Sequence, residues 1–255
     1  MNRMKSQPNK GRTRNMKKLA VVTGAGVRLG KAIALALHRE GYSVVVHYHS
    51  SRAGAGRVVA AIRKDGGDAT AIGADLRKPR QIARMFATVK KHYGGMDLLV
   101  NNAAVFRAAT VRSTTEYAWD EAMDTNLKGT FFCSQEAYGL MKGRAGGMII
   151  NIASLGGLQA WTQHLPYSVS KAGVIMLTRI LAKSLAPRVR VVAIAPGTIL
   201  MPGEETGLAH IPKRLIPLKK YGAAADITDL IIYLATKSRN ITGQVFPVDG
   251  GRSIL

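Results

Sequence analysis

Tyr167 and Lys171 lie four residues apart in Tyr-Ser-Val-Ser-Lys, and Ser154 precedes the tyrosine by thirteen residues. A separation of four puts two side chains on one helix face, one above the other. An ammonium beside a phenol favours the phenolate, which predicts a Tyr167 pKa below the free value of about 10. Such a phenol can give a proton to a carbonyl oxygen or take one from an alcohol. A serine hydroxyl arriving from a nearby strand end can hold the same oxygen. Taken singly, the pair also reads as a solvated helix face and the serine as a cap. The chemistry therefore depends on what the rest of the chain places beside them.

Residues 19–23, Leu-Ala-Val-Val-Thr, form a short apolar run suited to a buried parallel strand. The run breaks into Gly24-Ala25-Gly26-Val27-Arg28-Leu29-Gly30. Lys31 to Arg39 then carries Ile33, Leu35, Ala36 and Leu37 at helical spacing, with Gly41 as a stop signal. Strand, glycine turn and helix in that order are the context a dinucleotide site requires, although alone they also read as an ordinary strand–helix turn. Glycines let the backbone approach a pyrophosphate, and free N–H groups at the helix start face the anion. Gly24, Arg28, Leu29 and Gly30 are the residues expected there.

The next strand, Ser43 to His47, ends in His47-Tyr48-His49-Ser50-Ser51-Arg52, and no acid occurs between Glu40 and Asp65. A ribose with a free 2′-OH is usually held at this point by Asp or Glu. Imidazoles, hydroxyls and a guanidinium suit a 2′-phosphate instead, so the expected cofactor is NADPH rather than NADH. Asp75-Leu76 closes the following strand and offers a carboxylate to an adenine amino group. Leu98-Leu99-Val100 ends in Asn101-Asn102-Ala103-Ala104, where the small residues after the strand let a nucleotide lie close to the backbone.

Strands and helices alternate from Leu19 to Val248. That pattern predicts one α/β domain over residues 18–255, a single Rossmann-type doubly wound parallel sheet with helices on both faces, since parallel strands need helical crossovers. Ligands then bind at the carboxyl ends of the strands. No apolar run reaches bilayer length, no signal peptide is evident, and Cys133 is the single cysteine. A cytoplasmic setting follows as the expectation. The histidines show no metal-ligand spacing. Trp161 and His164, just ahead of Tyr167, either line a substrate mouth or shape the loop.

The 255 residues carry 37 Lys and Arg against 15 acids, a net charge of +22. Met1 to Lys18 holds seven of those positive side chains and no acid, and residues 1–17 are expected to form a basic disordered arm. A field of this sign attracts anionic substrates, with an acidic acyl-carrier protein as one such partner. With aromatics at 6% and no docking motif, specific nucleic-acid recognition is not expected.

TGAGVRLG at 23–30, NNAA at 101–104, Asn126 in TNLKGTFF, NIAS at 151–154, YSVSK at 167–171 and APG at 195–197 occur in that order. Together they make the chain, from about Lys18 to its end, resemble the short-chain dehydrogenase/reductases. Within that family it looks most like the pteridine-reductase-like branch. Arg28 stands where most relatives have glycine, HYHSS fills 47–51, Phe106 follows NNAA, and the chain closes on ITGQVFPVDGGRSI. Ala104 and Ser154 depart from the pterin pattern, and serine is the usual choice in carbonyl-reducing relatives.

The resemblance implies roles. Tyr167 is the general acid, Lys171 lowers its pKa and bonds the nicotinamide ribose, and Ser154 orients the carbonyl. Asn126, in a helix from about Tyr117 to Tyr138, holds a water that relays protons to Lys171. Pro196, Gly197 and Ile199 run beside the nicotinamide carboxamide. Arg28 and Phe106 meet the substrate, the latter stacking on a pterin ring. Leu200 to Pro217 reads as a substrate loop. A homotetramer is implied by analogy. Asp226 to Ala235 reads as an amphipathic helix that packs on the sheet or, as the alternative, joins a second interface. The expected activity is NADPH-dependent reduction of a ketone or a pterin ring. The alternatives are a 3-oxoacyl-[acyl-carrier-protein] reductase and, from another class, a basic nucleotide-sensing or binding module.

Overall fold

Apolar runs without alternation bury on both faces only when helices cover the sheet from both sides. The computed structural model, which describes residues 17–144, 146–201 and 212–254, shows that arrangement. Strand β1 (Leu19–Val22) leads into α1 (Arg28–Arg39), β2 (Ser43–Tyr48), α2 (Arg52–Lys64), β3 (Ala69–Gly73), α3 (Pro79–Tyr93) and β4 (Leu98–Asn101). The second half runs α4 (Glu116–Ala122), α5 (Gly129–Met141), β5 (Gly147–Ile152), α6 (Leu165–Leu185), β6 (Val189–Pro196), β7 (Ile199–Leu200), β8 (Gly222–Ala223), α7 (Ala224–Thr236) and β9 (Val245–Val248). Seven strands form one sheet in the order β3-β2-β1-β4-β5-β6-β9, and every pairing in it is parallel. This is the expected Rossmann-type doubly wound fold. Strand order reverses between β1 and β4, so a crevice opens at their carboxyl ends.

Successive strand residues point to opposite faces, and the core divides accordingly. Val22, Val46 and Val100 pack with Ile33 and Leu37 of α1, Ile62 of α2 and Ile231 of α7. Val21, Val45 and Leu99 pack with Phe86 of α3, Cys133 and Met141 of α5 and Leu181 of α6. Burial of each such side chain contributes about 1.5–3 kcal/mol. Cys133 is free and buried, and desolvation raises its thiol pKa.

Several boundaries differ from expectation. Helix α1 starts at Arg28, ahead of Lys31. Strand β2 extends to Tyr48. The helix expected from Tyr117 to Tyr138 is interrupted by a π-helical turn, Met123–Lys128, which separates α4 from α5. Helix α7 follows the packing reading: Ile227, Ile231 and Leu234 are buried in this chain's own core. Residues 1–16 of the expected arm, and 202–211 of the expected substrate loop, lie outside the described residues. The described flanks of that loop are structural: β7 pairs with β8, and Ile216 is buried.

Candidate active site

Gly24 has φ +62°, a left-handed conformation that glycine adopts without strain. Its N–H donates to His47 Nδ1 at 3.1 Å, and the other ring nitrogen, Nε2, lies 3.0 Å from the Ala74 carbonyl oxygen. A carbonyl only accepts and an amide N–H only donates, so His47 is neutral with its proton on Nε2. Its ring ties the turn after β1 to the end of β3. His47 lines the crevice, but it is buried and does not offer the free cationic imidazole expected for a phosphate. Desolvation first, and the neighbouring His49 second, lower its pKa to about 4.

That shift predicts an acid sensitivity. The unfolded chain takes up the proton below about pH 6.5, whereas the folded chain takes it up only below about pH 4. The contribution is full above pH 6.5 and is lost as pH falls toward 4. The stability difference between the parent chain and His47→Gln, read by urea unfolding, should shrink between pH 7 and pH 4. A constant difference would contradict this assignment.

Thr23 makes the second tie. Its Oγ1 accepts from the N–H groups of Asn102 at 2.9 Å and Ala103 at 3.0 Å, while Asn102 Nδ2 donates to the carbonyls of Thr23 and Gly24. A cavity of about 360 Å³ opens here, lined by Gly24, Arg28, Leu29, Gly30, His49, Ser50, Ser51, Asp75, Leu76, Asn102, Ala103 and Ala104 among others. Tyr48 lies off it, its ring against Gly73. Arg52 is exposed at the start of α2. Arg28 has φ +49°, the conformation that favours glycine and costs another residue about 1–2 kcal/mol.

The residues present fit a dinucleotide phosphate. Helix α1 has no side-chain cap and no acid in its first turn, so nothing charged on it opposes an anion at its N-terminus. Both acids on the cavity wall are already paired. Arg77 grips Asp75 through three side-chain contacts of 2.9–3.2 Å, holding its pKa down at about 2. Glu121 accepts from Arg107 at 2.6 Å. The expectation that Asp75 would stand open to an adenine amino group is corrected accordingly: both of its oxygens already accept from Arg77. Arg77 was missed by sequence reasoning, and the Asp-x-Arg spacing was its only signal. Thr23 was visible in TGAGVRLG but was read only as the end of the strand.

Ser154 follows β5, and its Oγ accepts from the Gly156 N–H at 3.1 Å. Tyr167 enters from the first turn of α6 and lies beside Ser154, whose hydroxyl acts to lower the phenol pKa. Lys171, one turn on, is buried and donates to the Ile152 carbonyl at 2.6 Å, with its ammonium 5.8 Å from the centroid of the Tyr167 ring. The structure thus brings the three residues together. It does not show the expected fall in the Tyr167 pKa. Burial raises it and outweighs the lowering by the Ser154 hydroxyl, while burial lowers Lys171 to about 8. The phenol accordingly stays protonated near neutrality, as a proton donor must.

Asn126 sits in the π-helical turn with its side chain fully committed. Its Oδ1 accepts from the Val105 N–H at 2.8 Å, and its Nδ2 donates to the Val105 carbonyl and to Ser170 Oγ. The amide clamps the loop after β4 to α6, which leaves only its backbone for the expected water. Phe106, on that loop, is 56% exposed. It stacks on His164 at 4.2 Å and meets Tyr167 edge-on at 4.7 Å. Trp161 lies parallel to Tyr167, with centroids 6.5 Å apart. Trp161 and His164 therefore belong to the mouth. Pro196 ends β6, Gly197 donates its N–H to Val248, and Ile199 packs against the core. These three line the carboxyl edge of the sheet rather than the cavity beside β1.

Among the described residues no group of His, Cys, Asp and Glu could hold a metal ion, and no helix is long and apolar enough to cross a membrane. A family model described as enoyl-(acyl carrier protein) reductase matches residues 24–253. The chain is 38% identical over 241 residues to a 3-oxoacyl-[acyl-carrier-protein] reductase from Staphylococcus aureus, covering 92% of this chain and 98% of the relative. In structure it is similar to acetoin dehydrogenase from Enterobacter cloacae, with a TM-score of 0.86, 31% identity, and 94% and 97% of the two chains covered. It is also similar to a blue fluorescent protein from a metagenomic library, solved in complex with NADPH, with a TM-score of 0.84, 31% identity, and 92% and 97% covered.

Proposed function

The chain belongs to the short-chain dehydrogenase/reductase family of oxidoreductases, and on that premise we propose that it is an NADPH-dependent reductase of ketone carbonyls, with 3-oxoacyl thioesters as the substrate class. The observation that carries the chemistry is buried Lys171, held on the Ile152 carbonyl one turn behind Tyr167, with Ser154 beside the phenol. The substrate class rests on the near-full-length likeness to a 3-oxoacyl-[acyl-carrier-protein] reductase. The +22 charge suits an acidic carrier protein as partner.

NADPH, when bound, supplies the hydride. The chain's own residues do the rest. Ser154 Oγ, oriented by the Gly156 N–H, turns its own proton to the substrate oxygen. Tyr167 gives that oxygen its phenolic proton, and the Lys171 ammonium steadies the phenolate left behind. The Ile152 carbonyl fixes Lys171 in place. Gly24, Gly30, Asn102, Ala103 and Ala104 would hold the pyrophosphate and adenosine, with Arg28, His49, Ser50, Ser51 and Arg52 toward the 2′-phosphate. Pro196, Gly197 and Ile199 would flank the nicotinamide.

A pterin ring is the second reading, favoured by the exposed ring of Phe106 beside Tyr167. The non-enzymatic alternative gives no account of the buried Lys171 beside Tyr167. Assembly into a homotetramer is supported by Met176 and Ile180, which leave apolar surface exposed on α6. NADPH oxidation with acetoacetyl thioester, a diketone and dihydrobiopterin tests the reading. Thioester turnover is expected, and turnover of dihydrobiopterin alone would reverse the order of the two readings. Cofactor choice is tested by Ser50→Asp, which sets a carboxylate toward the 2′-phosphate. It should raise the KM for NADPH by at least about tenfold through like-charge repulsion, with little change for NADH. Equal effects on both cofactors would remove this loop from the phosphate site.

A further inference from the structure

Near Tyr167 lie two polar donors that the chemistry above does not use. Trp161 packs on Gly156, where an added Cβ would come within 2.7 Å of its ring, and it stacks along Tyr167. Arg252, in the short turn Arg252–Ile254 at the end of the chain, places its guanidinium carbon 5.6 Å from the centroid of the Trp161 ring. Gln159 Nε2 donates to the Arg252 carbonyl at 3.0 Å, fixing this turn against the loop after β5. Trp161 Nε1 and Arg252 Nη1 are both buried without a hydrogen-bond partner among the described residues. Asp249, the acidic side chain nearest in sequence, is spent elsewhere: its oxygens accept from the N–H groups of Gly251 at 2.9 Å and Ser253 at 2.6 Å.

An indole N–H and a guanidinium can only donate, and the guanidinium keeps its charge at any working pH. Buried donors left unpaired are destabilising, and more so when charged. Where they persist together at a site, they are complementary to an acceptor that arrives from outside. Stacking on the indole aims the guanidinium without neutralising it. We infer that Arg252 and the Trp161 N–H bind an anionic group at the far end of the carbonyl substrate, one indole away from the reacting oxygen. The inference rests on the reading that Tyr167 serves a carbonyl, and it narrows that reading to charged carbonyl compounds. The anion is a carboxylate on a keto acid or a phosphate on a thioester carrier.

Binding separates this from turnover. The protein saturated with NADP+ cannot reduce a ketone, so it can be titrated calorimetrically with two matched pairs. One pair is 4-oxopentanoate and its methyl ester. The other is acetoacetyl-coenzyme A and the uncharged acetoacetyl N-acetylcysteamine thioester. The charged member of at least one pair should bind about tenfold more tightly, the range of a charge-assisted hydrogen bond, and the pair that discriminates identifies the source of the anion. Arg252→Gln should abolish the discrimination, Trp161→Phe should reduce it, and Arg252→Lys should restore part of it. Equal binding within both pairs, or discrimination that survives Arg252→Gln, overturns the inference. Failure of all four compounds to oxidise NADPH would instead overturn the proposed reaction and leave the binding result standing.

Discussion

Tyr167→Phe is expected to lower turnover with NADPH about a thousandfold, within the range that a positioned general acid supplies. The substitution removes one oxygen and little else. The ring keeps its contacts with Phe106 at 4.7 Å and Trp161 at 6.5 Å, so the mouth keeps its shape. Lys171 stays anchored on the Ile152 carbonyl. Binding of NADPH, followed by its fluorescence, should therefore remain within a fewfold of the parent chain while the rate collapses. A variant that kept a tenth of the parent rate would remove Tyr167 from the chemistry. Joint loss of rate and NADPH binding would point to a positioning role.

Gly30→Ala should have the second large effect, through the cofactor rather than the chemistry. A Cβ at residue 30 would run into the Gly24 carbonyl and reach 2.6 Å from Asn102 Nδ2. Those are the two partners of the hydrogen bond joining the glycine turn to the end of β4. Neither can yield cheaply, because one is backbone and the other also serves Thr23. The turn must open, which costs about 1–3 kcal/mol as overpacking does and splays the N–H groups that face the phosphates. The expected outcome is a roughly hundredfold weaker NADPH complex in calorimetry, the order of losing two charge-assisted hydrogen bonds, together with a lower urea midpoint. Unchanged affinity would mean that the pyrophosphate does not sit on this turn.

The sheet was legible in the sequence because its strands are unbroken apolar runs followed by turn residues, as at Leu19–Val22 and Leu98–Asn101. Tyr167 and Lys171 were legible because spacing along one helix decides which residues can meet, and Ser154 because it follows the strand that precedes that helix. Other parts were not legible, and each for its own physical reason. A π-helical turn leaves no mark on apolar periodicity over six residues, so the stretch around Asn126 read as one continuous helix. The loss of His47 as a phosphate ligand followed from strand alternation, which turns its ring under the Gly24 turn. The stack of Arg252 on Trp161 joins by folding two residues 91 positions apart in the chain, whereas the fork of Arg77 on Asp75 is local and was signalled only by their spacing. The Tyr167 pKa was misjudged because proximity to an ammonium was weighed without the burial of both groups.

An all-parallel sheet has a cost in time. Its central pairing, β1 with β4, joins Ala20 to Leu98 across most of the first hundred residues, and distant pairings of this kind close slowly. The hydroxyl of Thr23 and the amides of Asn102 and Ala103 meet only after that closure. Competence to hold a nucleotide is therefore acquired late on the folding route. Added nucleotide should slow the unfolding arm of a chevron far more than it speeds refolding.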